Sequence, residues 1–208
     1  MARVDAAAQP PAQESRMSYE EFLAWADEDT WAEWVDGEVI VLSPASVRHQ
    51  QIGQFLLMLL ELYVEVHQLG VVIFAPFQMR LSAVRSGREP DILFVAREHL
   101  HRLLATRLDG PADVAVEIVS PESVERDRTH KYREYEAAGI REYWLIDPDQ
   151  RQAAFYHLGP DGRFAVLPIE ASGVFRSTVI SGFWLRVDWL WQYPLPQRRT
   201  VLRQLGLV

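Results

Sequence analysis

Lys131 is the single lysine among the 21 lysines and arginines of this 208-residue chain. Where arginine serves nearly every need for positive charge, a retained lysine points to work that guanidinium cannot do. It offers a compact ammonium on a flexible stem, with three rotatable donors and a pKa that responds to its surroundings. The plainer alternative is an exposed ion pair with Asp127, one helical turn earlier. Two carboxylates favour the chemical reading. Asp91 heads one strand-like run and Glu117 lies inside another, and neighbouring strands would bring them together. Carboxylates a few ångströms apart repel unless a proton or a cation lies between them. Hard divalent ions such as Mg²⁺ are held by one or two carboxylates with water and a substrate phosphate. A lysine reaching in from the following helix would activate the attacking water or neutralise charge building on a phosphate. These residue types together describe a phosphodiester-hydrolysis site.

The elements that must position them follow from pattern. Ser18 with Glu21 is a capping-box signature opening a short helix to about Asp27. Two strand-like runs flank Asp36-Gly37 between Ala32 and Leu42, with Glu33 and Glu38 on either side of the turn. Apolar residues at three- and four-residue steps from Ile52 to Val66 predict a long helix over about Ser46–Leu69, closed by Gly70. Three strands are expected next, over Val71–Leu81 with an interruption at Pro76, over Asp91–Ala96 and over Asp113–Val119, with a helix from Arg97 to about Leu104 before the last. The run Val114-Ala115-Val116-Glu117-Ile118-Val119 is apolar on both faces except for Glu117. That is the pattern of a strand covered on two sides, and a charge inside it needs a partner or a metal. A helix over about Val124–Ala138 places Val124, Arg128, Lys131, Tyr135 and Ala138 on one side, facing the sheet. A strand at Glu142–Ile146, a hairpin over Gln152–Ile169 and a tryptophan-rich end complete the chain.

Composition sets the bounds. A chain of this length with 49% hydrophobic residues suits one domain with a sizeable core. Residues 1–16, rich in Ala, Pro and Gln, are read as a disordered arm, residues 17–192 as the domain and 193–208 as a C-terminal tail. With no cysteine, disulfides and thiolate metal sites are excluded, and a reducing cytoplasm is expected. The most apolar stretch, Phe55 to Val66, carries two glutamates and is too short to span a bilayer, so no membrane role is expected. A net charge of −8 weighs against a protein that clamps a long polyanion.

The segments Glu33-Trp34-Val35-Asp36-Gly37-Glu38, Ser43-Pro44 with His49, Arg88-Glu89-Pro90-Asp91-Ile92 and Val116-Glu117-Ile118-Val119-Ser120-Pro121 carry a resemblance. With Asp127, Lys131, Tyr135, Gly139 and Glu142-Tyr143-Trp144-Leu145-Ile146-Asp147-Pro148, they look like the Uma-two family within the PD-(D/E)XK restriction-endonuclease-like superfamily. The resemblance covers about Ser18 to His157. It implies an α/β (α+β) fold with a mixed sheet, built as an αβββαβ core with an N-terminal helix and hairpin and extra C-terminal strands. It also implies metal-dependent DNA cleavage. The superfamily pattern places a lysine two residues after the glutamate, where this chain has Val119. The resemblance implies that the next helix supplies it, as Lys131. By the same resemblance Glu33 is an outer carboxylate and His49 a ligand or general base, beside Asp91 and Glu117 as metal ligands.

Alternatives remain for several of these residues. Glu33 beside a hairpin has a surface charge as its alternative, and His49 a polar residue at a helix start. Asp127 suits an ion pair with Lys131, Glu122 and Glu125 suit the positive end of a helix, Ser120 a turn, and Tyr135 the core. Mg²⁺ or Mn²⁺ is the expected cofactor, a ligating imidazole tilting the choice toward Mn²⁺. DNA is the expected substrate, with Arg80, Arg85 and Arg88 ahead of Asp91 placed to meet phosphates. A homodimer is expected by fold analogy, since two sites are needed to cut both strands. A non-catalytic interaction module that keeps the nuclease fold is the competing reading, with Trp184, Trp189 and Trp191 as an apolar dimer patch.

Overall fold

The computed structural model describes residues 16–27 and 30–208, so residues 1–15 of the expected N-terminal arm lie outside the described residues. The Ser18 hydroxyl accepts from the Glu21 N–H while the Glu21 carboxylate accepts from the Ser18 N–H, closing the expected capping box on α1 (Tyr19–Trp25). Asp36-Gly37 turns β1 (Ala32–Val35) into antiparallel β2 (Glu38–Val41). Both turn residues have positive φ, and a Cβ on Gly37 would stand 2.6 Å from the Arg16 Cβ, so this tip needs glycine. Ser46 caps α2 (Val47–Val66), whose buried Ile52, Phe55, Leu56, Leu59, Leu60 and Tyr63 form the apolar face that the spacing predicts.

Five further strands follow before β8. They are β3 (Gly70–Phe74), β4 (Gln78–Leu81), β5 (Ser86–Arg88), β6 (Ile92–Ala96) and β7 (Arg107–Asp109). After β8 (Val114–Ile118), a π-helical turn, Arg126–Lys131, runs into α3 (Tyr132–Ala138), and Gly139 ends it in the left-handed conformation. β9 (Glu142–Asp147), β10 (Gln152–Leu158), β11 (Phe164–Leu167), β12 (Val174–Arg176), β13 (Trp184–Arg186) and α4 (Arg198–Gln204) follow.

The strands β11-β10-β9-β8-β6-β3 form a six-stranded mixed sheet in which only β8 and β9 run parallel. A second sheet, β2-β1-β5-β4-β7, stands apart from it. The sequence reading joined β3 and β4 into one strand; they fall instead into different sheets, divided at Pro76, which has no N–H to give a ladder. The expected helix from Arg97 is a 3₁₀ stretch ending at Arg102.

Side chains alternate across β6, β8 and β9 as strand geometry requires. Phe94, Val116, Ile118, Trp144 and Ile146 meet α2 and the C-terminal elements in one core layer. Leu93, Val95, Ala115, Tyr143 and Leu145 meet Tyr135 of α3 in the other. The strand carrying Glu117 is therefore covered on both faces. Residues 193–208, read as a tail, carry α4, and its Val201 and Leu202 pack into the first layer with Leu205. Trp189 is buried in the same layer, and Trp184 and Trp191 are half-buried against it, so the three rings serve the core rather than standing as a fully exposed patch. Among the described residues no helix is long and apolar enough to cross a membrane.

Candidate active site

Lys131 closes the π-helical turn, and that wider winding decides where its side chain goes. Asp127 and Lys131, four residues apart, are both buried, while Arg128 leans out to Asp147 at 2.7 Å instead of sharing the Lys131 side as an α-helical spacing predicts. The Lys131 Nζ stands 2.9 Å from Glu33 Oε1, 2.9 Å from Glu117 Oε2 and 3.6 Å from Asp127 Oδ1. The Asp127 contact is the longest of the three and is buried, so an exposed ion pair does not describe this lysine. Val119, at the position where the superfamily pattern has lysine, is a core residue.

Glu33 arrives from β1 of the second sheet and is fully buried, which removes the surface-charge alternative. Its Oε2 accepts from Arg88 Nη1 at 2.8 Å and its Oε1 from the Glu89 N–H at 3.2 Å. Arg88 is itself buried and donates from Nε to Glu134 at 2.8 Å, bridging β5 to α3. It therefore organises Glu33 and is not placed to meet a phosphate. Arg85 pairs with Asp36, and Arg80 pairs with Glu20 and lies over the Tyr19 ring, so none of the three arginines lines the cleft.

Asp91, just ahead of β6, accepts from the Ile118 N–H at 2.7 Å, a bond that ties it to the strand of Glu117. His49, in the first turn of α2, places Nε2 3.3 Å from Asp91 Oδ1. Tyr135 donates to Glu117 Oε1 at 2.6 Å, so it serves both the core and the site. Asp91, Glu117, Lys131 and His49 line one cleft of about 80 Å³, room for several water molecules, while Glu33 stands behind Lys131.

Glu89, Arg126, Asp127 and Trp31 line the same cleft, and sequence reasoning gave none of them a role in it beyond the Asp127–Lys131 pair. Glu89 stood in plain view, two residues before Asp91, but nothing in sequence distinguishes a cleft carboxylate from a solvated one. Glu89 Oε2 and Asp127 Oδ1 are buried without a hydrogen-bond partner. Among the described residues no three His, Asp or Glu side chains already form a cation cage. The available donors are carboxylate oxygens and one imidazole, a set that suits Mg²⁺ or Mn²⁺. Glu89 Oε2, with no hydrogen-bond partner, and Asp127 Oδ1, which has only the longer ion-pair contacts to Lys131 and Arg126, leave coordination that such an ion would take up.

One ammonium cannot neutralise all the acids around it, and their proton affinities divide accordingly. Burial by itself would raise Glu33, but Lys131 and Arg88 hold it down at about 2. Burial pushes Glu117 up to about 8, against the pull of Lys131 and with Asp127, Asp91 and Glu33 adding to the rise. Glu89 is pushed up to about 7, again chiefly by burial. Lys131 is held charged by Glu117, Glu33 and Asp127, which together outweigh its own burial and raise its pKa. Burial disfavours a charged His49, but the Asp91 carboxylate outweighs it and raises the imidazole pKa. The acid held ionised beside Lys131 is therefore Glu33, and Glu117 is the one whose proton affinity burial raises.

Comparison with known proteins adds to this geometry. Residues 19–188 match the Uma2 family model, described as "Putative restriction endonuclease". The crystal structure of "a putative nuclease belonging to DUF820" from Anabaena variabilis ATCC 29413 has a similar fold. The TM-score is 0.71 at 19% identity, over 84% of this chain and 97% of that one. No curated protein matches the chain.

Proposed function

The chain belongs to the Uma2 family, described as "Putative restriction endonuclease", and we propose that it is a metal-dependent DNA endonuclease whose motif lysine has moved from the strand to the following helical turn. The observation that carries this reading is the Lys131 ammonium, 2.9 Å from both Glu33 and Glu117 in a cleft shared with Asp91. Asp91 and Glu117 would hold a Mg²⁺ or Mn²⁺ ion, with His49 beside Asp91 as a further ligand or as the base. Such an ion supplies Lewis-acid stabilisation of a phosphate oxygen and acidifies water.

The chain's own groups do the rest. Ile118 N–H and His49 fix the orientation of Asp91. Tyr135 and Lys131 grip one oxygen each of Glu117. Arg88 and Glu89 N–H set Glu33 behind the lysine, so the ammonium is anchored when charge develops on the phosphate. Arg126 lines the cleft with a buried Nε that makes no hydrogen bond, which suits a contact to a phosphate oxygen.

The test is cleavage of supercoiled plasmid with Mg²⁺, Mn²⁺ or EDTA, beside Asp91→Asn and Lys131→Met. Metal-dependent nicking by the wild type, lost in both variants, is the expected result. A wild type that binds Mn²⁺ through Asp91 but leaves the plasmid intact would instead support an interaction module on the nuclease fold.

A further inference from the structure

The cleft has two unlike walls. One carries the carboxylates, Lys131 and Arg126; the other is made by Trp31, Val41, Leu42, Pro44, Ala45 and Ala75. Trp31 directly precedes β1 and its carbonyl accepts from the Leu42 N–H, which holds the residue at the open end of the hairpin. Its indole Nε1 is buried and finds no hydrogen-bond partner among the described residues. Two buried indoles do find one: Trp34 donates to the Met17 carbonyl at 2.7 Å and Trp144 to Glu142 at 2.9 Å. An unpaired buried donor is costly, and this one belongs to a ring in a solvent-accessible cleft. Val41 on the same wall is 58% exposed, and Phe74, next in sequence to Ala75, is 56% exposed.

An apolar, aromatic wall has no use for a phosphate, but it suits the face of a nucleobase. Bases stacked within a duplex cannot reach a wall beside the reacting phosphate, whereas an unpaired nucleotide can turn its base into it. Charge agrees with this. A single strand presents fewer phosphates per unit length than a duplex, the smaller demand on a chain that carries a net −8 and whose Arg80, Arg85 and Arg88 are all paired with acids. We propose that the Trp31 wall is a nucleobase subsite, in which the ring stacks on an unpaired base, so that the substrate is single-stranded or locally unpaired DNA. This rests on the nuclease reading for its choice of ligand.

The experiment measures binding of fluorescein-labelled dT12, a 12-base-pair duplex, and a 12-mer of the same backbone with abasic sites. Full-length protein would be used in Ca²⁺ and again in EDTA, with Trp31→Ala and Trp31→Phe, each checked for folding by its melting curve. The expected order is dT12 at least tenfold tighter than the duplex or the abasic strand. Trp31→Ala should lose about tenfold toward dT12, and Trp31→Phe, which keeps a ring and loses the N–H, should lose less. An abasic strand or a duplex bound as well as dT12 by the wild type would overturn the subsite without needing any variant to fold. Equal dT12 binding by wild type and folded Trp31→Ala would do the same. Plasmid nicking with Mn²⁺, run in parallel, separates the two claims: nicking without base dependence leaves the nuclease and removes the subsite, and base-dependent binding without nicking does the reverse.

Discussion

The Lys131 ammonium faces the Glu117 carboxylate at 2.9 Å, both buried between the π-helical turn and β8. A strand glutamate and a lysine of the following helical turn thus meet across two elements. Around that contact the acids outnumber the cations, and stability and pH response follow from the imbalance.

Replacing Glu117 by Gln mimics its protonated form. The folded pKa of about 8 lies above the ordinary 4.5, so the stability linked to this proton is complete below about pH 4.5 and is lost as pH rises through 8. Glu117→Gln should match the wild-type melting temperature at pH 5 and exceed it at pH 9, while cleavage falls by roughly a hundredfold or more. Calorimetric melts across that range decide it; a variant whose disadvantage grows with pH would show that Glu117 is ionised in the folded protein.

Lys131→Met removes the only ammonium among Glu33, Glu117 and Asp127. Breaking a buried pair costs about 3–5 kcal/mol, and that cost should be greatest near pH 8. Carboxylates left without their cation have raised pKa values, so the lost stability returns as pH falls and they protonate. Titration calorimetry adds an independent readout: Mn²⁺ should bind the variant more tightly than wild type, because no ammonium competes for the acids. Weaker binding would mean that Lys131 helps to hold the cation site in shape.

Glu33 works in the opposite sense. Its pKa is depressed to about 2, so its contribution is present above about pH 4.5 and disappears as pH falls toward 2. Glu33→Gln should therefore cost on the order of 3 kcal/mol at pH 7, and the gap from wild type should narrow near pH 3. Urea unfolding at the two pH values measures this, and a gap that is constant with pH would remove the ion pair as its cause.

Glu142 offers a control away from the cleft. Its carboxylate accepts from Trp144 Nε1 at 2.9 Å, Ser177 Oγ at 2.8 Å, Thr178 Oγ1 at 2.7 Å and Val179 N at 3.0 Å, fastening the C-terminal segment to β9. Glu142→Ala strands those donors and should cost about 3 kcal/mol or more. Cleavage at a temperature where the variant stays folded should be unchanged, whereas a parallel loss of both would couple this end of the sheet to the site.

Local pattern was enough for part of this protein. The capping box at Ser18, the Asp36-Gly37 hairpin, the face of α2 and the doubly covered strand around Glu117 all depend on residues a few positions apart, whose φ/ψ preferences and side-chain periodicity act within one element. The scarcity of lysine singled out Lys131 for the same reason: composition needs no coordinates. Tertiary structure decided the rest. Glu33 entered as an outer carboxylate only through the resemblance, Arg88 looked like a loop cation, and their burial against Lys131 and Glu134 depends on a second sheet meeting the first. No sequence period records that meeting. The π-helical winding turned Arg128 away from the Lys131 side that α-helical spacing would share, while Asp127, one turn before Lys131, stayed on it. The cleft assignments of Glu89, Arg126 and Trp31, and the split of the acids into ionised and protonated forms, depend on which groups share one low-dielectric space. Only the folded arrangement of distant segments fixes that.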